Sequence, residues 1–232
     1  IVNMSEDRTV NASFTIQQFP LVLSAGSGGK VDGSGSYSYG TNATIQATPT
    51  TGYVFNGWTG DGIANANFAT TTISMTESKE ANAAFILDQL DLSIISGSGG
   101  NVSGEGSYAY GSSPTITAIP KDGFSFVRWE GEGITDSSKP VTIVEMTKAR
   151  SITAFFSEES YRLNLSSGLG GSVQGEGTFP HGSNAPIVAL ANTGFTFSGW
   201  TGDGVVDADQ SITTASMTEN RAITASFIQN IY

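Results

Sequence analysis

No cysteine occurs anywhere in the 232 residues. That excludes a disulfide framework, thiolate metal sites and cysteine nucleophiles together. Histidine is nearly absent as well, with His181 standing alone. No run of about 18 apolar residues is present, so no segment reads as a membrane span. The opening stretch Ile1-Val2-Asn3-Met4-Ser5-Glu6 has no basic region leading into an apolar one, so no signal peptide is visible. Positive charge is scarce: 10 Lys and Arg stand against 21 Asp and Glu, a formal net charge of −11. Such a field repels phosphate backbones and argues against nucleic acid as a partner, while it leaves room for divalent cations. A sustained helical period is missing too; residues 63–70 have space for one turn at most.

What the chain does have is a repeat. Trp58, Trp129 and Trp200 are the only tryptophans and recur every 71 residues. The same interval relates Met75, Met146 and Met217, then Phe85, Phe156 and Phe227, then the pairs Gly28-Gly29, Gly99-Gly100 and Gly170-Gly171. It also runs backwards, to Met4, Arg8, Ala12 and Phe14. Residues 1–19 therefore read as the tail of a preceding copy, followed by three units at 20–90, 91–161 and 162–232. The chain reads as a segment of a longer array whose export signal and anchor lie elsewhere.

A unit of this length is too long for a solenoid turn and suits a small domain with its own core. Phe85 closes one unit and Leu92 already begins a strand of the next, with no Pro/Ser-rich tether between. Close joints of that kind predict an elongated, semi-stiff rod of independent units. Each would be roughly 30 Å across, so three would extend about 90 Å.

Within the first unit, Leu21-Val22-Leu23 reads as a strand that turns at Gly26-Ser27-Gly28-Gly29 and returns through Val31. The glycines suit hairpin turns that need positive φ. Ile45 and Ala47 mark a further strand, and Tyr53 and Phe55 share a face of another. Trp58 falls on the opposite parity, which a bulge near Gly57 would explain; Arg128 at the matching place argues against a positive-φ requirement. Ile73 and Met75, a turn at Glu77-Ser78, then Ala81, Ala83 and Phe85 read as a closing hairpin. Its turn carries a cation in every copy (Arg8, Lys79, Arg150, Arg221), read as a solvated charge facing a nearby carboxylate. The prediction is all-β: tandem small domains, β-grasp-like or a small sandwich or barrel.

The run Gly52-Tyr53-x-Phe55-x-Gly57-Trp58-Thr59-Gly60-Asp61-Gly62, with Met75-Thr76 and Ala83-x-Phe85 after it, resembles the divergent branch of the internalin-type B-repeat family. The stretches Gly123–Gly133 and Gly194–Gly204 resemble it in the same way, so the likeness covers the whole chain. It implies a bacterial protein, surface-attached or secreted, whose repeats serve as spacers, stalks or adhesive modules, sometimes beside catalytic domains. It also implies a small β-grasp-like unit. No catalytic residues come with it.

Chemistry has few places to sit. His181 occupies a position where the other copies have Tyr39 and Tyr110, so it reads as a turn-surface residue rather than a general base. Gly26-x-Gly28-Gly29 lacks the Lys-Ser/Thr of a phosphate loop. Paired carboxylates in a cleft, as glycoside hydrolysis needs, are not suggested by acids lying mostly in turns. The chain reads as a non-enzyme. Oxygen ligands do recur after each tryptophan: Asp61, Asn65 and Asn67; Glu132, Asp136 and Ser138; Asp203, Asp207 and Asp209. Clustered hard oxygens are what calcium takes, so calcium is the one cofactor expected, first in the third copy. The competing reading is that Asp, Asn and Ser cap turn backbones. Tyr37, Tyr39, Tyr108 and Tyr110, if exposed, would offer stacking platforms to a glycan or a protein surface, whereas the tryptophans read as core. The expected partners are neighbouring copies of the same chain and, through those tyrosines, a cell-surface glycan or protein.

Overall fold

The protein is described from a computed structural model, which covers Ile1 and residues 5–231. The foothold of the period at Met4 falls outside the described residues. Within them the chain is all β. The first copy has seven strands: β1 (Gln18–Ala25), β2 (Gly29–Asp32), β3 (Gly35–Ser38), β4 (Thr41–Pro49), β5 (Tyr53–Gly60), β6 (Thr70–Met75) and β7 (Lys79–Leu87). The same order recurs from Gln89 to Glu158 and from Ser160 to Gln229. Residues 5–17 form no strand, and Phe14 is 94% exposed.

Each copy folds as two small sheets, ordered β3-β1-β7-β5 and β2-β4-β6, both made of that copy's own strands. All pairings are antiparallel except β1 with β7, which run parallel from Leu21↔Lys79 to Ala25↔Ala83. The alternation of apolar residues dictates this arrangement, because successive side chains point to opposite faces. Ala43, Ile45 and Ala47 on β4 turn inward with Ile73 and Met75 on β6. They meet Leu21, Ala81, Ala83 and Trp58 from the opposing sheet. A buried side chain of this size contributes about 1.5–3 kcal/mol, so a core so small leaves little margin. The architecture is a small sandwich, with no β-grasp helix among the described residues.

The two expected hairpins are not hairpins. β1 pairs with β3 and β7 while β2 pairs with β4; likewise β6 belongs to the β4 sheet and β7 to the β1 sheet. Both turns carry the chain across from one sheet to the other. At the first crossing the glycine pair has two separate duties. Gly28 takes φ +101° and also leaves room for the Tyr53 ring, 2.2 Å from where a Cβ would stand. Gly29 lacks a positive φ, and a Cβ on it would stand 2.1 Å from the Phe85 ring. The second glycine is there for space.

The bulge expected near Gly57 is present. The β5–β7 register slips between Phe55 and Gly57, and again at Phe126/Arg128 and Phe197/Gly199. One extra residue puts both Phe55 and Trp58 on the core face, with ring centroids 5.9 Å apart. Gly57 and Gly199 have positive φ, and Arg128 does not, so the bulge itself does not demand glycine. The three tryptophans are 3%, 1% and 4% exposed, as a core reading requires. In the second copy Pro114 stands where the first has Ala43, and without its N–H the β4 ladder starts only at Thr115.

The chain divides into two compact units. One runs to Leu90 and takes in Tyr108–Ser112; the other is Asp91–Ser107 with Ser113 onward. A turn of the second copy thus belongs with the first.

Candidate functional site

The loop after each tryptophan is built from turn chemistry. Asn65 Oδ1 accepts the Asn67 N–H (3.0 Å), Asp136 Oδ1 accepts that of Ser138 (3.0 Å), and Asp207 Oδ1 accepts that of Asp209 (3.1 Å). Hydrogen bonds to the carboxylate, first from the Ser138 hydroxyl, hold Asp136 below the usual carboxylate range. A buried or half-buried threonine on β6 or its counterpart accepts the N–H of the first residue of each pair: Thr71, Thr142 and Thr213. The expected calcium ligands are therefore joined in twos, Asn65 with Asn67 and Asp207 with Asp209. Asp61 lies apart, in an open groove lined by Glu77, Ser78, Lys79 and Glu80. Asp203 directly precedes Gly204, the turn glycine that lies against Arg221. Among the described residues, no three acidic or imidazole groups converge as a metal site.

The repeated cation differs from its expected form. It does face a carboxylate, but it is not solvated: the side chains of Lys79, Arg150 and Arg221 are 9%, 8% and 11% exposed. Each lies across a positive-φ glycine of the post-tryptophan turn, Gly62, Gly133 or Gly204. Arg150 donates to the Glu145 carbonyl (3.1 Å), the Thr147 hydroxyl (3.0 Å) and Glu132 (3.2 Å). Arg221 repeats the first two with Ser216 and Thr218, but takes its carboxylate from Glu219 in the crossing rather than from the loop. Among the described residues Lys79 bonds only to Glu77, at 3.0 Å. Arg150 thus clamps the crossing to the loop through Glu132, whereas Lys79 and Arg221 bond to the crossing itself and lie against the loop glycine. Arg8, outside any sandwich, is simply exposed. A hydrogen bond and charge from Lys148, with Arg150 adding less, hold Glu132 below its ordinary value.

The tyrosine pairs separate into two roles. Tyr37 packs against the first core and donates its hydroxyl to the Gly33 carbonyl at 2.8 Å; Tyr108 is half-buried. Tyr39 is 60% exposed, its ring 6.4 Å from Phe19. Tyr110 and His181, at the same place in later copies, are half-buried against the preceding copy. A Cβ on Gly52 would stand 2.3 Å from the Tyr110 ring, and one on Gly123 would stand 2.7 Å from the His181 ring. One residue completes each joint. Asp88 donates its N–H to Gly52 (2.9 Å) and its carbonyl accepts the Tyr110 N–H (2.8 Å). Glu159 does the same between Gly123 (2.8 Å) and His181 (2.9 Å). His181 Nε2 also lies 3.3 Å from Asp122, and its ring is 5.8 Å from that of Tyr161. The Tyr161 hydroxyl donates to Glu159 at 2.7 Å, a bond that raises the phenol above its usual range together with burial and nearby carboxylates. His181 is thus a joint residue rather than a turn-surface one. The signal in the sequence was a ring 58 positions after a glycine in two successive copies.

Residues 19–89, 90–160 and 161–231 each match the family profile described as a divergent InlB B-repeat domain. Among solved structures, the Bacillus anthracis TIE protein is similar at a TM-score of 0.45 and 8% identity, over 93% of this chain and 51% of that one. An I-band fragment from titin is similar at a TM-score of 0.20 and 11% identity, over 94% of this chain and 98% of the fragment. No curated protein matches.

Proposed function

The chain belongs to the divergent InlB B-repeat family, and from that premise we propose that it is a non-catalytic extracellular spacer in a bacterial surface or secreted protein. One observation carries the reading: what recurs between copies is directed inward. Core positions, ring-seating glycines, clamp cations and one-residue joints repeat every 71 residues, whereas outward positions such as Asn67, Ser138 and Asp209 change. Selection on a spacer acts on folding and joining. The one imidazole is spent on a joint, whereas nucleophilic catalysis through an imidazole base would need it beside a nucleophile.

Small-angle scattering tests the proposal. The maximum dimension of the chain is expected to grow by roughly 30 Å for each copy added in register. A value that stays constant as copies are added would sink the spacer reading. An adhesive module is the competing account, and Tyr39 is where it would act. Binding of a glycan or cell surface that Tyr39→Ala abolishes would favour it. A catalytic domain elsewhere in the same protein would make the array an accessory region of a secreted polysaccharide-degrading enzyme.

Calcium stays a proposal for the post-tryptophan loops, the third copy first, because Asp203, Asp207 and Asp209 all carry charge there. A filled native site raises the unfolding midpoint. A rise in excess calcium that magnesium does not reproduce would assign it; no shift leaves the loops as turns.

A further inference from the structure

Gly52, Gly123 and Gly194 are three versions of one backbone feature, with φ of +81°, +75° and +85°. Their surroundings differ. Rings of the following copy cover the first two, while a Cβ on Gly194 would meet none of the described residues within 4 Å. The ring side shows the complementary difference, since Tyr110 and His181 are half-buried and Tyr39 is exposed. The hydrogen-bond relay is divided in the same way. Through their backbones Asp88 and Glu159 bond in both directions; among the described residues the backbone of Asn230 only donates, to Gly194 (2.8 Å), and that of Gln17 only accepts, from Tyr39 (2.8 Å).

We infer that this glycine seat and this ring form a single interaction surface through which neighbouring copies stabilise each other. The exposed halves at Gly194 and Tyr39 fit a further copy of the same repeat. Continuity with the two completed joints identifies the occupant. The seat requires a flat ring brought against bare backbone, and only the turn at 39, 110 and 181 carries one at the necessary distance along the chain. A tyrosine serves in one joint and an imidazole in the other, so the seat recognises a planar ring, while Asp122 adds a contact specific to His181. This goes beyond the spacer reading and stands without it, because coupled copies would serve an adhesin equally well.

The three matched glycines supply their own control. Alanine at any of them meets the same positive-φ strain, so only the ring distinguishes Gly52 and Gly123 from Gly194. Native-state amide exchange of the full chain reads each copy separately. Gly52→Ala should lower protection in the first and second copies together, by about tenfold beyond the drop Gly194→Ala causes in its own copy. Tyr110→Ala, which adds no strain, should also loosen strands of the first copy, and by more than Tyr39→Ala, which loses a ring contact with Phe19. Equal effects of Gly52→Ala and Gly194→Ala, or a Tyr110→Ala effect confined to the second copy, would overturn the inference. For the open halves, residues 20–232 are fused directly after Tyr232, which sets the second Tyr39 ring 58 positions beyond Gly194. Gly194→Ala should then acquire the two-copy effect. If it remains a local loss in the fusion, the end seats do not take another copy.

Discussion

The first and second copies build their cores on the same positions yet finish the polar edges differently. Trp129 donates its indole N–H to the Lys139 carbonyl and Trp200 to that of Gln210, both at 3.0 Å. Trp58 is as deeply buried, and its indole nitrogen has no partner among the described residues. The clamp follows the same trend, with three contacts from Arg150 and one from Lys79. The lesson is that the apolar positions alone specify this sandwich. Polar finishing adjusts the stability of a copy without altering its fold. By this comparison the first copy is the weaker one.

The largest effect tests the shared part. Ile45→Ala and Ile116→Ala, both fully buried, should each cost about 2–5 kcal/mol, and nearly the same in either copy. Amide exchange followed copy by copy would expose any inequality, and with it a flaw in the equivalence of the cores. Gly29→Ala and Gly100→Ala drive a Cβ to 2.1 Å from the Phe85 and Phe156 rings; about 1–3 kcal/mol each is expected, again equally. Then comes the difference. Trp129→Phe loses a hydrogen bond that Trp58→Phe does not, so it should be costlier by about 1 kcal/mol. Matched losses would mean that the Trp58 N–H is satisfied in solution.

The smallest effect concerns pH. Lys148 and Arg150 hold the folded Glu132 below its ordinary value of 4.5. A carboxylate with a depressed folded value stabilises above its unfolded value, and that contribution is lost as pH falls through the folded one. Protection of the second copy should therefore decline slightly in acid below about pH 4.5. In Glu132→Gln that part of the acid response should vanish. Because Glu132 is exposed, a large response would point to some other group.

Much of this was legible in the residues. The period, the alternation in β4 and β6, the buried tryptophans and the bulge all follow from spacing and parity. The crossing of β1 to β2 and of β6 to β7 does not. A glycine turn between apolar runs reads alike whether the second strand pairs with the first or enters the facing sheet. Gly29 was misjudged for a related reason, since the ring that claims its space comes from Phe85, far along the chain. The clamp was half legible: Lys79, Arg150 and Arg221 recur, and so do Gly62, Gly133 and Gly204, but a charge in a turn normally belongs to solvent. The joints were hidden most deeply. Their two parts belong to different copies, and reading one unit at a time separates them.

The parallel pairing of β1 with β7 also governs how a copy would bear load. These are its first and last strands, adjacent and pointing the same way, so tension along the chain pulls them in opposite directions along their shared edge. All the paired positions from Leu21↔Lys79 to Ala25↔Ala83 are then sheared together rather than peeled apart one by one. Rupture would have to break that whole patch in a single event, and how long a copy survives under tension is set by the rate of that event rather than by its equilibrium stability.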